Sequence, residues 1–193
     1  MNKNILIING HPNRESFNFE ICRAYKSGAE ASGAEVREIV VADLKFNPNL
    51  EFGYRQRTDL EPDLLEAWNK LLWANHLVWV HPVWWGGLPA ITKGFIDRVF
   101  LPGFAFKYRP NSLLWDKLLK GKSAHIISTL DQPGWYYRLR YGQPSINQLK
   151  KSTLQFCGIN PVRSTFIGII KTSDANQRNR WLEKISRLGE KRK

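Results

Sequence analysis

The sequence is poor in cysteine, in long apolar runs and in acidic residues, and the first two shortages exclude whole classes of protein. Cys22 and Cys157 are the only cysteines in 193 residues, too few for a disulfide scaffold and without metal-ligand spacing. No apolar run approaches the roughly 20 residues of a membrane span, and no cleavable apolar segment follows Met1. We therefore expect a cytoplasmic chain with no membrane span and no bound metal.

The shortage of acidic residues leaves the chain strongly basic. It has 29 Lys and Arg against 17 Asp and Glu, a formal net charge of +12, which favours nucleotides, acidic membrane faces or polyanions as partners. The basic residues are densest in the tail, at Arg178, Arg180, Lys184, Arg187, Lys191, Arg192 and Lys193. A solvated helical face and a nucleic-acid patch both explain this tail. Because no recognised nucleic-acid-binding module is present, we expect no nucleic-acid partner.

Short apolar runs alternate with longer amphipathic segments, which is typical of an α/β fold. Strands are predicted over 4–9, 36–41, 76–81, 123–128 and 162–170. Helices are predicted over 16–32, 62–74, 89–100 and 145–156 and after Asp174, and loops over 45–60, 102–115 and 129–144. No linker or repeat divides the chain, so we expect one domain over 1–193. Alternating strands and helices predict a doubly wound, three-layer parallel sheet with helices on both faces.

Ligands in such folds bind at the carboxyl ends of the strands, so the loops after the first, third and fourth strands should meet at one crevice. In the first loop, His11, Arg14 and Ser16 precede a helix, whose N-terminal N–H groups suit a phosphate. A plain N-cap at Ser16 is the other interpretation. Neither dinucleotide-binding glycines nor a Walker lysine is present, which disfavours a nicotinamide-type Rossmann site and an ATP-type P-loop.

The second and third loops are rich in aromatic residues and poor in acid–base groups. Trp84 and Trp85 precede Gly86, and we expect at least one of them to cover a flat ligand, because both cannot enter the core from a turn. The third loop offers hydroxyl, carboxylate and aromatic side chains at Ser128, Thr129, Asp131, Trp135, Tyr136 and Tyr137. No nucleophile–base pair accompanies them, which suits a cofactor that carries the chemistry itself.

Four segments of the chain resemble one family of enzymes. They are HPNRESFN over 11–18, PVWWGGLPAITKGFIDRVF over 82–100, GFAFKY over 103–108 and LQFCG over 154–158. The second is highly specific, and together they are similar to the flavodoxin-like NAD(P)H:quinone oxidoreductase family over nearly the whole chain. The resemblance implies a flavodoxin-like fold with strand order 2-1-3-4-5, one FMN or FAD per chain, and a homodimer with flavin sites at its interface.

The resemblance also implies a set of site residues. The flavin phosphates would be held by His11, Arg14, Ser16, Phe17 and Asn18. The isoalloxazine ring would be lined by Pro82, Val83, Trp84, Trp85 and Gly86, and its edge completed by Ser128, Thr129, Leu130, Asp131 and Tyr136. The substrate pocket would be lined by Phe106, Tyr108 and Trp135, the first two lying over the partner's flavin.

Two departures from the family pattern bear on the mechanism. Leu130 and Asp131 replace the glycines of well-known members, and no histidine occurs over 138–142, so a relay from Tyr136 to a histidine is not implied here. Tyr136 or Tyr137 could donate a hydrogen bond to the acceptor.

The implied activity is hydride transfer from NAD(P)H through the flavin to a quinone, azo compound, nitroaromatic or free flavin, in ping-pong order. Arg138 and Arg140 would favour NADPH if they meet its phosphates, and solvated surface positions are the alternative. The alternative function is a flavin-binding regulatory subunit of a potassium-efflux-type transporter. A single-electron flavodoxin is disfavoured, because such carriers are usually acidic.

Overall fold

The computed structural model describes residues 3–56 and 58–191, so Arg192 and Lys193 of the basic tail and Arg57 of the loop over 45–60 lie outside the described residues. Its strands are β1 (Asn4–Asn9), β2 (Glu35–Val40), β3 (His76–Pro82), β4 (Phe106–Tyr108), β5 (Trp115–Lys117), β6 (Ser123–Thr129) and β7 (Val162–Ile167). Five of them form one parallel sheet in the order β2-β1-β3-β6-β7. The predicted order 2-1-3-4-5 is confirmed, since β6 and β7 are the fourth and fifth strands of this sheet.

Helices cover both faces of the sheet. They are α1 (Phe17–Ala31), α2 (Pro62–Trp73), α3 (Ala90–Val99), α4 (Gly134–Tyr141), α5 (Pro144–Asn147) and α6 (Ala175–Glu190). α1 and α6 pack together on one face, and α2, α3 and α5 contribute to the core on the other. Within the described ranges, no helix is both long enough and apolar enough to span a bilayer.

Successive residues of β3 enter the two cores in turn. Leu77 and Trp79 pack in the core with α2 and α3, whereas Val78 and Val80 pack in the core with α1 and α6. Alternate side chains of a strand point to opposite faces, and here both faces are covered. The central strands β1 and β3 therefore carry unbroken apolar runs, over 5–8 and 77–80, which is why the sequence predicts them well.

Two of the predicted loops contain regular structure, and the prediction is wrong there. The segment 129–144 includes α4, which buries only Tyr137 among its eight residues and so carries no apolar helical stripe. In 102–115, β4 begins an antiparallel hairpin with β5. The last predicted strand ends three residues early, at Ile167, and α5 continues as a π-helix over Gln148–Gln155.

A buried arginine attaches the loop over 45–60 to α3. Arg98 is 1% exposed, and its guanidinium donates to the carbonyls of Asn47 and Asp59. The same group forms a bidentate ion pair with Glu61, at 3.0 and 2.8 Å. Two backbone carbonyls and a carboxylate therefore hold one side chain, which fixes both ends of the loop against the helix.

Candidate active site

The carboxyl ends of β1, β3 and β6 lie side by side, and the three turns that follow them leave the same edge of the sheet. Asn9 at the end of β1 is paired with Val80, and Pro82 at the end of β3 is paired with Thr129. Thr92 of α3 donates its hydroxyl to the carbonyl of Gly10 at 2.8 Å, which ties the first turn to the helix that follows the second. The predicted crevice therefore has its three turns in one place.

The first turn of α1 contains two buried polar atoms without a partner. Ser16 is the N-cap residue, but its hydroxyl caps no backbone N–H, so the plain N-cap interpretation is wrong. Ser16 Oγ and Asn18 Nδ2 have no hydrogen-bond partner among the residues that the structure describes. Together with the N-terminal N–H groups of a 15-residue helix, they form what we call the phosphate cradle, a set of donors suited to an anion.

The two basic residues beside the cradle carry little free charge. Arg14 is exposed and forms an ion pair with Asp43. The ring of His11 packs edge-on against Trp84, with centroids 5.5 Å apart, and its Nδ1 accepts the N–H of Asn13 at 3.0 Å. Burial lowers the pKa of His11 below its usual value. At neutral pH this histidine is therefore an uncharged donor through Nε2.

The turn after β3 holds an exposed tryptophan in an unusual backbone conformation. Trp84 and Gly87 exchange two hydrogen bonds, of 3.1 and 2.8 Å, around Trp85 with φ 50° and Gly86 with φ 76°. Positive φ at both central residues defines a type I′ turn, in which asparagine, aspartate and glycine are usual. Trp85 is nevertheless fully exposed, so no packing within the chain accounts for a tryptophan there.

β6 and α4 fix the second turn in place. The N–H of Val83 donates to the carbonyl of Thr129 at 2.8 Å, and the hydroxyl of Thr129 donates to Asn18 Oδ1 at 2.8 Å. The hydroxyl of Tyr137 donates to the carbonyl of Gly86 at 2.7 Å and accepts the N–H of Ser145 at 3.0 Å. The second and third turns are therefore joined by direct hydrogen bonds, and α1, which follows the first turn, is joined to the end of β6.

Between the second and third turns lies a cavity of about 520 Å³. It is lined by Val83, Trp85, Gly86, Leu130, Asp131, Gln132, Tyr137, Tyr141 and Pro144. Six of these, all except Gln132, Tyr141 and Pro144, are predicted site residues. The volume falls within the range of small-molecule sites, and its aromatic lining suits a planar ligand.

Comparison with known proteins decides the family. The family model described as a flavodoxin-like fold matches residues 3–188. An uncharacterized NAD(P)H oxidoreductase of Haemophilus influenzae is 30% identical over 185 residues, covering 93% of this chain and 91% of the relative. This chain is an oxidoreductase of the flavodoxin-like NAD(P)H:quinone oxidoreductase family.

Two further proteins are similar to this oxidoreductase. The structure of Smu.1420 from Streptococcus mutans superimposes with a TM-score of 0.83 at 31% identity, over 97% of this chain and 99% of the other. An FMN-dependent NADH:quinone oxidoreductase 2 of Listeria monocytogenes is 35% identical over 120 residues, which cover 57% of this chain and 54% of the relative.

Three predicted pocket residues lie outside the cavity of the oxidoreductase. Phe106 is buried against Phe156, with ring centroids 4.9 Å apart, and with Tyr108 it lines a second cavity of about 470 Å³. The two cavities share no lining residue among those described. Trp135 lines neither cavity; it is 66% exposed and contacts the ring of Tyr136. Within one chain, the structure therefore does not bring these three aromatic side chains to the cavity between the second and third turns.

Sequence reasoning missed His81, which organises the edge of the site from within the sheet. His81 is fully buried; its Nδ1 lies 3.0 Å from the carbonyl of Pro82 and its Nε2 lies 3.0 Å from Ser128 Oγ. The neutral ring donates to the carbonyl and accepts the serine hydroxyl, so the hydroxyl predicted for the ligand is already engaged. A histidine at the end of an otherwise apolar strand was the signal for this role.

The burial of His81 predicts acid sensitivity. Desolvation lowers its pKa from the usual 6.5 to about 4, so between these pH values the unfolded chain binds a proton that the folded chain does not. The contribution of His81 to the free energy of unfolding is fully present above about pH 6.5. It falls by about 3 kcal/mol in total as the pH drops toward 4. Between about pH 7 and pH 5, the free energy of unfolding measured in urea should fall less in His81→Gln than in the parent protein. Equal losses in the two proteins would contradict the assignment.

Proposed function

We propose that the cavity binds one flavin, FMN, and that the enzyme uses it to pass hydride from NAD(P)H to a quinone or a similar aromatic acceptor. The observation that carries this proposal is the cavity between the second and third strand-end turns, together with the hydrogen bond from Thr129 to Asn18 that joins the end of β6 to the phosphate cradle at the start of α1. The bound flavin would supply the redox chemistry, and the protein would bind and orient it. The FMN-dependent Listeria relative supports FMN over FAD.

The phosphate cradle fits the terminal phosphate of a flavin mononucleotide. An unpaired polar atom in a buried position costs about 1–3 kcal/mol, and a phosphate would accept from both Ser16 Oγ and Asn18 Nδ2. His11 would add its Nε2–H from the side. The side chain of Phe17 packs toward Trp181 in the core, so this residue would contribute its backbone N–H.

The cavity fits the isoalloxazine ring. Trp85 and Gly86 form one wall, where the N–H groups of these two residues reach no acceptor within the described ranges, and Leu130 and Asp131 form the other. Asp131 is held in position, because its Oδ1 accepts the N–H of Lys171 at 2.7 Å. An exposed tryptophan without internal contacts would then cover the ring, which accounts for its presence in a strained turn.

The two candidate tyrosines would have different roles. The hydroxyl of Tyr137 is engaged with Gly86 and Ser145, and burial raises its pKa; we propose that it positions the second turn. Tyr136 is half-buried between Trp135 and Tyr141, and we propose that its hydroxyl donates to the acceptor oxygen as negative charge develops there.

The variants Tyr136→Phe and Tyr137→Phe separate these roles. Tyr136→Phe should lower kcat for quinone by about 10²-fold with flavin affinity unchanged. Tyr137→Phe should instead weaken flavin binding, because the second turn loses its hydrogen bond to α4. Steady-state kinetics and flavin titration measure the two quantities. A loss of flavin in the Tyr136 variant, with none in the Tyr137 variant, would reverse the assignment.

The direct test of the proposed function is spectroscopic. Purified protein should be yellow, should release FMN on heating, and should be bleached anaerobically by NADPH or NADH and recoloured by a quinone. Parallel double-reciprocal plots would support the ping-pong order, and the ratio of kcat/KM for NADPH and NADH tests the proposed preference for NADPH. Colourless protein that takes up neither FMN nor FAD would reject the proposal.

Removing one cradle donor should weaken flavin binding without unfolding the protein. Ser16→Ala is expected to raise the Kd for FMN about tenfold, because one hydrogen bond to a charged group is lost. Ser27→Ala on the same helix is the matched control, since Ser27 is exposed and distant from the cradle in sequence. Fluorescence titration measures both constants. Equal affinities in the two variants would show that Ser16 does not contact the phosphate.

We also propose that the enzyme is a homodimer, in which Phe106 and Tyr108 of one protomer lie over the flavin of the other. The second cavity is open and largely apolar, and Tyr108 is 60% exposed at its rim. Light scattering should give twice the 22.4 kDa chain mass, and Tyr108→Ala should raise KM for the acceptor while leaving the flavin content unchanged.

A further inference from the structure

A further cavity lies at the amino ends of the strands, on the edge of the sheet opposite the flavin turns. Its volume is about 270 Å³, and we call it the amino-edge cavity. β3 has seven residues, which at about 3.3 Å per residue separates the two edges by about 20 Å. The amino-edge cavity shares no described lining residue with the other two cavities or with the β4–β5 hairpin. It is therefore separate from the flavin site and from the hairpin that contributes to the proposed dimer.

The amino-edge cavity is built by the first residues of neighbouring strands. His76 begins β3 and is paired with Ser123, which begins β6, while Arg163 is the second residue of β7. Lys3 immediately precedes β1, and Lys191 immediately follows α6. All five residues line the cavity. The parallel order β1-β3-β6-β7 therefore brings together positive charges that are far apart in the sequence.

The lining of the amino-edge cavity is positively charged. Lys3, Arg163 and Lys191 supply three cations, and no Asp or Glu lines the cavity in the part of the chain that the structure describes. Arg163 and Lys191 form no ion pair with a carboxylate among the described residues. Cations gathered in one concave site attract an anion, and guanidinium and ammonium groups are the usual partners of phosphate.

A buried histidine in the wall of this cavity has one nitrogen without a partner. His76 is 3% exposed, and its Nδ1 lies 2.8 Å from Ser123 Oγ. Its Nε2 is buried and has no hydrogen-bond partner within the described ranges. When the serine hydroxyl donates to Nδ1, Nε2 carries the proton and lacks an acceptor. Burial is the main cause that lowers the pKa of His76 to about 3, and the charges of Lys3 and Arg163 contribute. An anion would supply the missing acceptor and offset both charges.

We propose that the amino-edge cavity binds a small anion with a phosphate group, held by Lys3, Arg163 and Lys191, with the Nε2–H of His76 donating to it from the wall. A phosphate dianion balances most of the three positive charges and offers several acceptor oxygens to donors that come from different strands. The small volume suits inorganic phosphate or a small phosphate monoester. This site does not depend on the proposed flavin site.

The first test is a calorimetric titration of inorganic phosphate into the full-length protein saturated with FMN, so that the phosphate cradle is filled. One phosphate should bind per chain, and Arg163→Gln should raise its Kd at least about tenfold. Arg180→Gln is the matched control, because Arg180 is an exposed arginine of α6 that does not line the cavity, and its Kd should equal that of the parent. Absence of binding by the parent, or equal Kd values in the two variants, would overturn the proposal.

Ser16→Ala separates the amino-edge cavity from the phosphate cradle in the same titration. The Kd for inorganic phosphate should be unchanged in this variant, because Ser16 does not line the amino-edge cavity. If Ser16→Ala weakens phosphate binding and Arg163→Gln does not, the phosphate occupies the cradle. The present proposal then fails while the proposed flavin site stands.

Histidine ¹⁵N NMR gives the position of the anion. The Nε2 resonance of His76 should shift during the phosphate titration with the Kd from calorimetry. His81, a buried histidine near the other end of the same strand, is the internal control and should not shift. Sodium chloride at the same ionic strength should shift neither resonance. A shift of His81 alone, or of neither histidine, would contradict the proposal.

Glycerol 3-phosphate distinguishes the two sources of the phosphate group. Tighter binding of this ester than of inorganic phosphate, with the same loss in Arg163→Gln, identifies a phosphate monoester as the ligand. Tighter binding of inorganic phosphate identifies the free ion. Both results support the site, and binding of neither compound overturns it.

Discussion

Arg98→Met is expected to lower the free energy of unfolding by about 3–5 kcal/mol. The side chain is 1% exposed, and its removal takes one donor from each of the carbonyls of Asn47 and Asp59 and leaves the carboxylate of Glu61 with the N–H of Asn47 but without its cation. Because these three groups belong to the loop over 45–60 and to its end, the loop should also detach from α3. Urea unfolding measures the stability, and limited proteolysis within the loop measures the detachment.

Two further variants test whether the loss of stability in Arg98→Met comes from its buried contacts. Lys93→Met removes an i,i+4 ion pair with Asp97 on the same helix, but that pair is partly exposed, so the expected loss is at most about 1 kcal/mol. In Arg98→Met/Glu61→Leu both charges are gone, and part of the lost stability should return because no unpaired carboxylate remains. Similar losses in the Lys93 and Arg98 variants would show that the buried contacts contribute nothing beyond surface pairing.

Gly10→Ala is expected to reduce kcat/KM for quinone by about 10²-fold. A Cβ on Gly10 would lie 2.5 Å from Oγ1 and 3.0 Å from Cγ2 of Thr92. Thr92 is fully buried, so it has no room to withdraw, and the first turn must move away from α3. Since the phosphate cradle begins six residues later, the displacement would separate the cradle from the cavity. Flavin content and steady-state kinetics measure the effect.

The control for Gly10 is another glycine of the same site. A Cβ on Gly87 would have only an ordinary contact of 3.7 Å, with the carbonyl of Trp84, so Gly87→Ala should retain near-parental activity. In Gly10→Ala/Thr92→Ala the clashing atoms are removed, and part of the flavin binding should return. If the double variant is no better than Gly10→Ala, the clash is not the cause.

The sheet and its turns could be predicted from sequence because their determinants are local. A strand buried on both faces needs a short apolar run, as over 5–8, and the parallel order then places the three turns at the same edge of the sheet. α4 was missed because it buries a single side chain, that of Tyr137, whose hydroxyl is bonded to Gly86 and Ser145. No periodic pattern in the sequence reports a helix that is held by a single hydrogen-bonded side chain.

The side-chain roles within the site depended on contacts that sequence does not contain. Ser128 and Tyr137 both carry hydroxyls and are both predicted site residues, but His81 engages the first hydroxyl and Ser145 the second. Ser16 presents the opposite case, a hydroxyl in a position typical of a cap that has no partner among the described residues. The role of each hydroxyl therefore depends on its hydrogen-bond partners, which only the folded structure shows.

The type I′ turn at Trp85 has an evolutionary consequence. A tryptophan in the left-handed region costs about 1–2 kcal/mol relative to its preferred backbone conformation. Its exposed side chain makes no packing contact within the chain that would offset this cost. Selection in the laboratory for heat resistance alone would therefore favour asparagine or glycine at this position. Tryptophan would persist at this position only if the clones were selected for enzymatic turnover as well as for heat resistance.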